Sequence, residues 1–406
     1  MELAAQFAVP PVVTLDDIAT QAEVATGMMS SIRSSMLAPR TAKQEPTFSA
    51  EDLAVMCGQT GGRGWVNHQM TIRSDLPTGQ LSESGRKRHF GLTDARVWVR
   101  EFRKGLLRPA GAEAVTITIA NFKGGTTKTT TAMTLAQGLS VLGHKVLVID
   151  TDPQASLTTL FGILPDVEVQ DSETMMALVD GSQKSVRPLI RKTYWDGLDL
   201  VPASTSLFAA EFMLPSMQSK NPKFEFWSVL DLGIDDVRAD YDVIVIDSPP
   251  ALSYVTINSL FAANGIIIPL PPDTLDFASS AQFWDLFSSL TTDLLKERGS
   301  TKTFDFIDVL LSRVSKSMTT DVVRQWISAT YKEKVLPLEI PRTATTSLKS
   351  AEFGTVYDAD PEDSKDRTYK RAREAYDQFV EHIERQVMHA WVRQLAAAPA
   401  AQLASV

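Results

Sequence analysis

Two lysines five residues apart, Lys123 and Lys128, bracket a glycine pair in the stretch VTITIANFKGGTTKTTT, Val115 to Thr131. Residues of these types at this spacing suit phosphate. Gly124 and Gly125 let the backbone bend so that N–H groups along Gly124, Gly125, Thr126 and Thr127 converge on one concavity. The helix expected from Ala132 to Leu142 adds partial positive charge at its N-terminus. Lys128 would then meet the outer phosphates of a nucleotide, and the Thr129 hydroxyl would sit on Mg²⁺.

The commonest phosphate loop places glycine six residues before its lysine and again immediately before it, where this chain has Phe122 and Thr127. What the stretch matches is the deviant form K-G-G-x-x-K-[ST], which carries an additional lysine, here Lys123. Thr127 is β-branched and is expected at ordinary negative φ, so the loop should not demand a left-handed residue there.

Two further runs end in carboxylates. Val146-Leu-Val-Ile-Asp150 continues into Thr-Asp152-Pro-Gln-Ala-Ser156, and Asp242-Val-Ile-Val-Ile-Asp247 continues into Ser-Pro-Pro250. Carboxylates at the C-terminal ends of strands lie where doubly wound sheets bind ligands. Asp150 suits the water shell of a metal, Asp152 suits the water that attacks a γ-phosphate, and Asp247 would hold Mg²⁺ through water.

These residues need a scaffold. Val115–Ala120, Lys145–Asp150, Leu198–Val201, Asp242–Asp247, Gly265–Leu270, Phe304–Leu311 and Val335–Ile340 are short, unalternated and rich in Val, Ile and Leu. Such runs suit a mostly parallel sheet buried on both faces, and with helical segments between them they predict an α/β, doubly wound P-loop fold. Thr368 to about Leu395 reads as a long charged helix with an apolar stripe. The chain has 406 residues, 44% hydrophobic content and a net charge of −9. It can bury a sizeable core, and the charge excludes a uniformly basic nucleic-acid coat without excluding local basic patches. A single cysteine, Cys57, excludes a disulfide framework and a multi-cysteine metal site within the chain. With no leader-like start and no apolar run of about 20 residues, a cytoplasmic protein without membrane attachment is expected.

Three regions follow: residues 1–45, residues 46–110 and residues 111–406. In the first, a helix from Leu15 to Leu37 starts on Thr14 and Asp17, with Leu15, Ile18, Ala22, Ala25, Met29, Ile32 and Met36 at coiled-coil-like spacing. In the second, a short helix from Ser49 through Cys57, a turn at Gly61–Gly64 and a helix from Trp65 to Ile72 resemble a helix-turn-helix. Turns at residues 75–79 and 82–85 suggest a wing, and Leu92–Leu107 reads as another helix. Ten basic residues between Arg63 and Arg108 face four acidic ones. That excess points to DNA, with Arg63, Arg73, Arg86, Lys87 and Arg88 as the candidate contacts.

K-G-G-x-x-K-T, D-x-D-P-Q-x-S and the Asp247-Ser-Pro-Pro strand together resemble the ParA family of deviant Walker ATPases, over roughly Val115 to Arg342. The N-terminal helix followed by a winged helix-turn-helix resembles its larger, plasmid-type members. The resemblance implies a Mg²⁺-dependent, slow ATPase that binds ATP and ADP. It implies that Lys123 crosses an ATP-held homodimer to the partner's phosphates, that Thr130 contacts the inner phosphates, and that Arg313, Pro341 and Arg342 contact the base or DNA. Lys123, Lys128 and Asp152 would carry the reaction. It further implies plasmid or chromosome partition: the ATP state binds DNA non-specifically, and a ParB-type centromere-binding protein stimulates hydrolysis and release. The ADP or apo state would bind operator DNA and repress the chain's own operon. A nucleotide-regulated repressor without a segregation role, and a division-site-positioning ATPase, are the competing readings.

Overall fold

The computed structural model describes residues 13–37, 43–82, 85, 87–296, 301–343, 354–358 and 366–397. Met1–Lys43 and Gln44–Val406 are two compact units. The first contains α1, Leu15–Leu37, with the expected limits. Thr14 N–H donates to Asp17 Oδ2 at 2.8 Å and Asp17 N–H to Thr14 Oγ1 at 3.2 Å, the reciprocal cap that Thr14 and Asp17 predict. Leu15 and Ile18 are exposed. Residues 1–12 and 398–406 lie outside the described residues.

The second unit opens with β1 (Thr47–Ser49), α2 (Ala50–Met56), α3 (Gly62–Ile72), β2 (Gln80–Leu81), β3 (Arg88–Gly91) and α4 (Leu92–Phe102). A Ser49–Asp52 capping box starts α2. The three strands pair antiparallel in the order β1-β3-β2. Helix α3 starts at Gly62, three residues before the Trp65 expected, because part of the glycine run forms its first turn. Helix α4 stops at Phe102 and gives way to a 3₁₀ turn at Lys104–Leu106 around Gly105, so the helix expected to Leu107 is shorter. Leu53, Val66, Phe90 and Trp98 close the core here, with the rings of Trp65 and Trp98 5.9 Å apart.

An eight-stranded sheet then forms from β4 (Val115–Ile119), β5 (Val146–Asp150), β6 (Arg191–Lys192), β7 (Leu198–Val201), β8 (Val243–Asp247), β9 (Gly265–Leu270), β10 (Phe306–Val314) and β11 (Val335–Pro341). Its order is β11-β10-β9-β4-β8-β5-β7-β6, parallel except for the antiparallel edge strand β6. Strands β4, β5, β7, β8 and β9 are buried at every position, which is why their sequences do not alternate. The residues that β6 contributes, Arg191 and Lys192, give no apolar signal. Strand β10 extends to Val314, so Ser312 and Arg313 lie within it rather than after it.

Five of the helices that follow are α5 (Lys128–Val141), α6 (Ser156–Leu160), α7 (Tyr254–Ala262), α8 (Thr274–Lys296) and α9 (Met318–Tyr331). A sixth, α10 (Arg367–Ala397), buries Tyr369, Ala372, Tyr376, Phe379, Val380 and Ile383 at spacings of three and four. It lies so close to α5 that a Cβ on Gly138 would come within 2.4 Å of Val380. Glycine at that position is therefore a packing requirement.

Candidate nucleotide site

Strands β4, β8 and β5 end level: Asp247 is the register partner of both Ile119 and Asp150. The segment after Ile119 therefore begins beside two carboxylates. Asn121 Nδ2 donates to the Pro269 carbonyl at 2.9 Å, and Asn121 Oδ1 accepts the Lys123 N–H at 3.0 Å, which anchors the loop to β9. Thr126 Oγ1 donates to the Lys123 carbonyl at 3.2 Å. Helix α5 starts at Lys128, earlier than the Ala132 expected, on a bond from Thr131 N–H to the Thr127 carbonyl. The threonine run has weak helix propensity, and the loop supplies the start instead.

Thr127 corrects the expectation drawn from its side chain. Its φ is 73°, in the left-handed region, as is that of Gly125 at 75°. Ala155 at 52° and Arg313 at 51° share this conformation. Each such non-glycine residue costs on the order of 1 kcal/mol, and backbone strain of this kind gathers at binding sites, where the surroundings hold it in place. Gly125, Thr127 and Arg313 border one opening.

That opening is a cavity of about 690 Å³. Gly124, Gly125, Thr127, Lys128, Thr129 and Thr130 of the loop and the start of α5 line it, as do Asp152, Arg313, Pro341 and Arg342. Arg313 Nη1 donates to the Gly125 carbonyl at 2.9 Å, and Ser312 Oγ to the Thr126 carbonyl at 3.2 Å, so β10 braces the loop. Lys128 is buried and its Nζ donates to the Lys123 carbonyl at 3.1 Å. Burial lowers its pKa, and the nearby Asp247 and Asp152 oppose that shift.

The three carboxylates differ. Asp247 is fully buried, and neither of its side-chain oxygens has a hydrogen-bond partner. Burial, then the adjacent Asp150, raises its pKa, and the Thr129 hydroxyl and then the Lys128 ammonium oppose that shift. Asp150 accepts from Thr158 N–H at 2.9 Å, Thr158 Oγ1 at 2.8 Å and Asp152 N–H at 3.1 Å, and burial pushes its pKa up to about 7. It is thus engaged in tying α6 to β5. Asp152 takes one bond, from Gln154 N–H at 2.9 Å, and burial raises its pKa. No group of three or more His, Cys, Asp or Glu among the described residues is placed to hold a metal ion by itself.

Lys123 stands apart from the cavity lining. Its Nζ pairs with Asp276 in the first turn of α8 at 3.0 Å. Thr126 is buried beneath the loop and does not line the cavity either. Gln154, Ser156, Thr159, Leu160, Pro250 and Tyr376 do line it, beyond the candidates chosen from sequence. Gln154 and Ser156 stand in the motif after Asp152 and Pro250 in the one after Asp247. Tyr376 carries no local signal, being 248 residues from Lys128.

The basic residues between Arg63 and Arg108 divide into two sets. Arg63 and Lys87 are exposed, and Arg86 lies outside the described residues. Arg73 is ion-paired with Asp75 at 2.6 Å and Glu101 at 3.1 Å, and Arg88 donates to the carbonyl of Thr78. Arg96, Arg100, Arg103 and Arg108 turn toward the eight-stranded sheet. Arg96 meets Asp196 at 2.7 Å and the carbonyl of His144 at 2.9 Å, and Arg100 meets the Gly143 carbonyl. Arg103 bonds the Leu142 carbonyl at 2.6 Å and Glu384 of α10 at 2.8 Å, and Arg108 meets Asp242 at 3.1 Å. Much of the apparent basic patch is internal fastening.

Known proteins resemble this chain along most of its length. A family model described as an AAA domain matches residues 114–298. A putative replication protein A of Rhizobium rhizogenes is 31% identical over 370 residues, covering 87% of this chain and 90% of that protein. The sporulation initiation inhibitor protein Soj of Bacillus subtilis is 30% identical over 236 residues, 57% of this chain and 85% of Soj. A solved structure described as a partition protein superposes with a TM-score of 0.64 at 18% identity, over 92% of this chain and 97% of that one. The loop that carries Lys123 beside Gly124 and Gly125, the level carboxylates of β5 and β8, and these relatives place the chain in the ParA family of deviant Walker ATPases.

Proposed function

We propose that this chain is a Mg²⁺-dependent partition ATPase of the larger plasmid type. The observation that carries the reading is the convergence of Lys128, Thr129 and Asp152 on one cavity, beside a buried Asp247 whose oxygens lack partners. The loop N–H groups and the Lys128 ammonium would hold the phosphates. Thr129 and Asp247 fit Mg²⁺, since the cation or its water would satisfy the unpartnered carboxylate; the bound ion would neutralise charge on the phosphates. Asp152, with one oxygen engaged by Gln154, is suited to orient water.

Lys123 supports a dimeric reaction. It starts on the loop but pairs with Asp276, and in this reading that partly exposed pair opens when Lys123 meets phosphate in a second subunit. In this reading the ATP-held dimer coats DNA, and a ParB-type centromere-binding protein accelerates hydrolysis and release. Residues 46–110, with the order β1-α2-α3-β2-β3, are assigned as a winged helix-turn-helix that binds operator DNA in the ADP or apo state. Among the described residues no helix is long and apolar enough to cross a membrane.

The test is ATP-dependent DNA binding by Lys123→Ala and Lys128→Ala proteins. Lys128→Ala should lose nucleotide affinity, and Lys123→Ala should keep it while losing ATP-dependent dimerisation and DNA coating. A Lys123→Ala protein that coats DNA as well as the parent would refute the trans role.

A further inference from the structure

Tyr376 is 2% exposed and yet lines the cavity, together with Leu160, Ile340 and Pro341. Around it, tyrosine hydroxyls are bonded. Tyr194 donates to Asp358 at 2.5 Å, Tyr357 to Asp377 at 2.7 Å and Tyr369 to the Val356 carbonyl at 2.9 Å. Tyr376 Oη has no hydrogen bond to any of the described residues, and it is not among the sealed, unsatisfied polar atoms. The hydroxyl thus keeps a small accessible area on a residue that lines the cavity. Burial raises the pKa of this phenol, so it stays a neutral O–H donor.

Two sets of residues lining the cavity differ in chemistry. The phosphate loop contributes glycine, lysine and threonine, while α6, β11 and α10 contribute Leu160, Ile340, Pro341 and Tyr376, next to Arg342. A polyanion fits the first and a flat heterocycle with its sugar fits the second. An enclosed O–H facing such a space is a donor awaiting an acceptor.

We propose that Tyr376 is a nucleotide-contacting residue, its ring walling the base end of the cavity and its hydroxyl donating to an acceptor on the base or ribose. The inference rests on the nucleotide reading above and adds a contact from the C-terminal helix. Because base and ribose are common to ATP and ADP, the contact is the same for both. It acts on binding and not on the hydrolytic step.

The experiment uses the full chain and measures ADP and ATP affinity by calorimetry, steady-state hydrolysis, and melting without nucleotide. Tyr376→Phe removes only the donor. It should weaken ADP and ATP alike by about threefold to tenfold, the range of one hydrogen bond, raise KM to match, and leave kcat and unliganded melting near the parent's. Tyr376→Ala should weaken both nucleotides further; should it fail to fold, Tyr376→Phe decides. Parent-like affinity and KM in Tyr376→Phe, with the loss in Tyr376→Ala confined to melting, would make Tyr376 a core residue and overturn the inference. A parent chain that binds neither nucleotide would refute the nucleotide reading itself, and this one with it.

Discussion

Asp308 shows how burial sets a residue's behaviour. It lies on β10, 5% exposed, with Oδ2 unpartnered, and burial pushes its pKa up to about 6 from the usual 3.8 against the weaker pull of Lys334. Between about pH 4 and pH 6 the folded chain holds more protons here than the unfolded one, so stability falls as pH rises through that window. Asp308→Asn should therefore stabilise the protein at pH 7.5 by about 1–3 kcal/mol, taking about 1.4 kcal/mol for each tenfold difference in proton affinity between the folded and unfolded chain. The gain should vanish below about pH 4. Denaturant melts at both pH values check this, and an equal gain at both would exclude titration as its origin. Thr127 is a different case: its β-branched side chain argued for negative φ, and the fold overrode that preference.

Helix α4 is fastened to α5 and α10 by charge. Arg103 and Glu384 are 11% and 6% exposed at their side chains, and Glu384 also holds His144 Nε2 at 2.7 Å. Arg103→Met would leave Glu384 and the Leu142 carbonyl short of a donor. It should cost about 2–4 kcal/mol, less than the sum of single losses when combined with Glu384→Gln. Hydrogen exchange should quicken in α4 and not in β4, β8 or β9; uniform loss of protection would mean that α4 melts with the sheet. Such fastenings were not legible in the sequence, because Arg103 and Glu384 stand 281 residues apart. The phosphate loop and the strands were legible: the first keeps its chemistry within a few residues, and burial on both faces leaves the second unalternated. Strand β6 was invisible, being two charged residues at an edge, and Tyr376 read only as one member of an apolar stripe.

In a chain of net charge −9, the basic clustering between Arg63 and Arg108 was the feature that pointed to DNA, and the fold redistributes it. Arg96, Arg100, Arg103 and Arg108 serve the junction between α4 and the sheet, and Arg73 and Arg88 are held by local partners. This can be counted in displaced counterions. Each phosphate that a protein neutralises contributes about −0.9 to the slope of log affinity against log salt. Were all ten cations between Arg63 and Arg108 to face DNA, operator binding would show a slope of about −9. With the inward and paired arginines removed from the tally, it should be about −2 to −4 per chain. A steeper slope in a salt titration of operator binding would place the DNA on another surface, and a slope in the expected range would mark the arginine-rich segment as a hinge plate, not a grip.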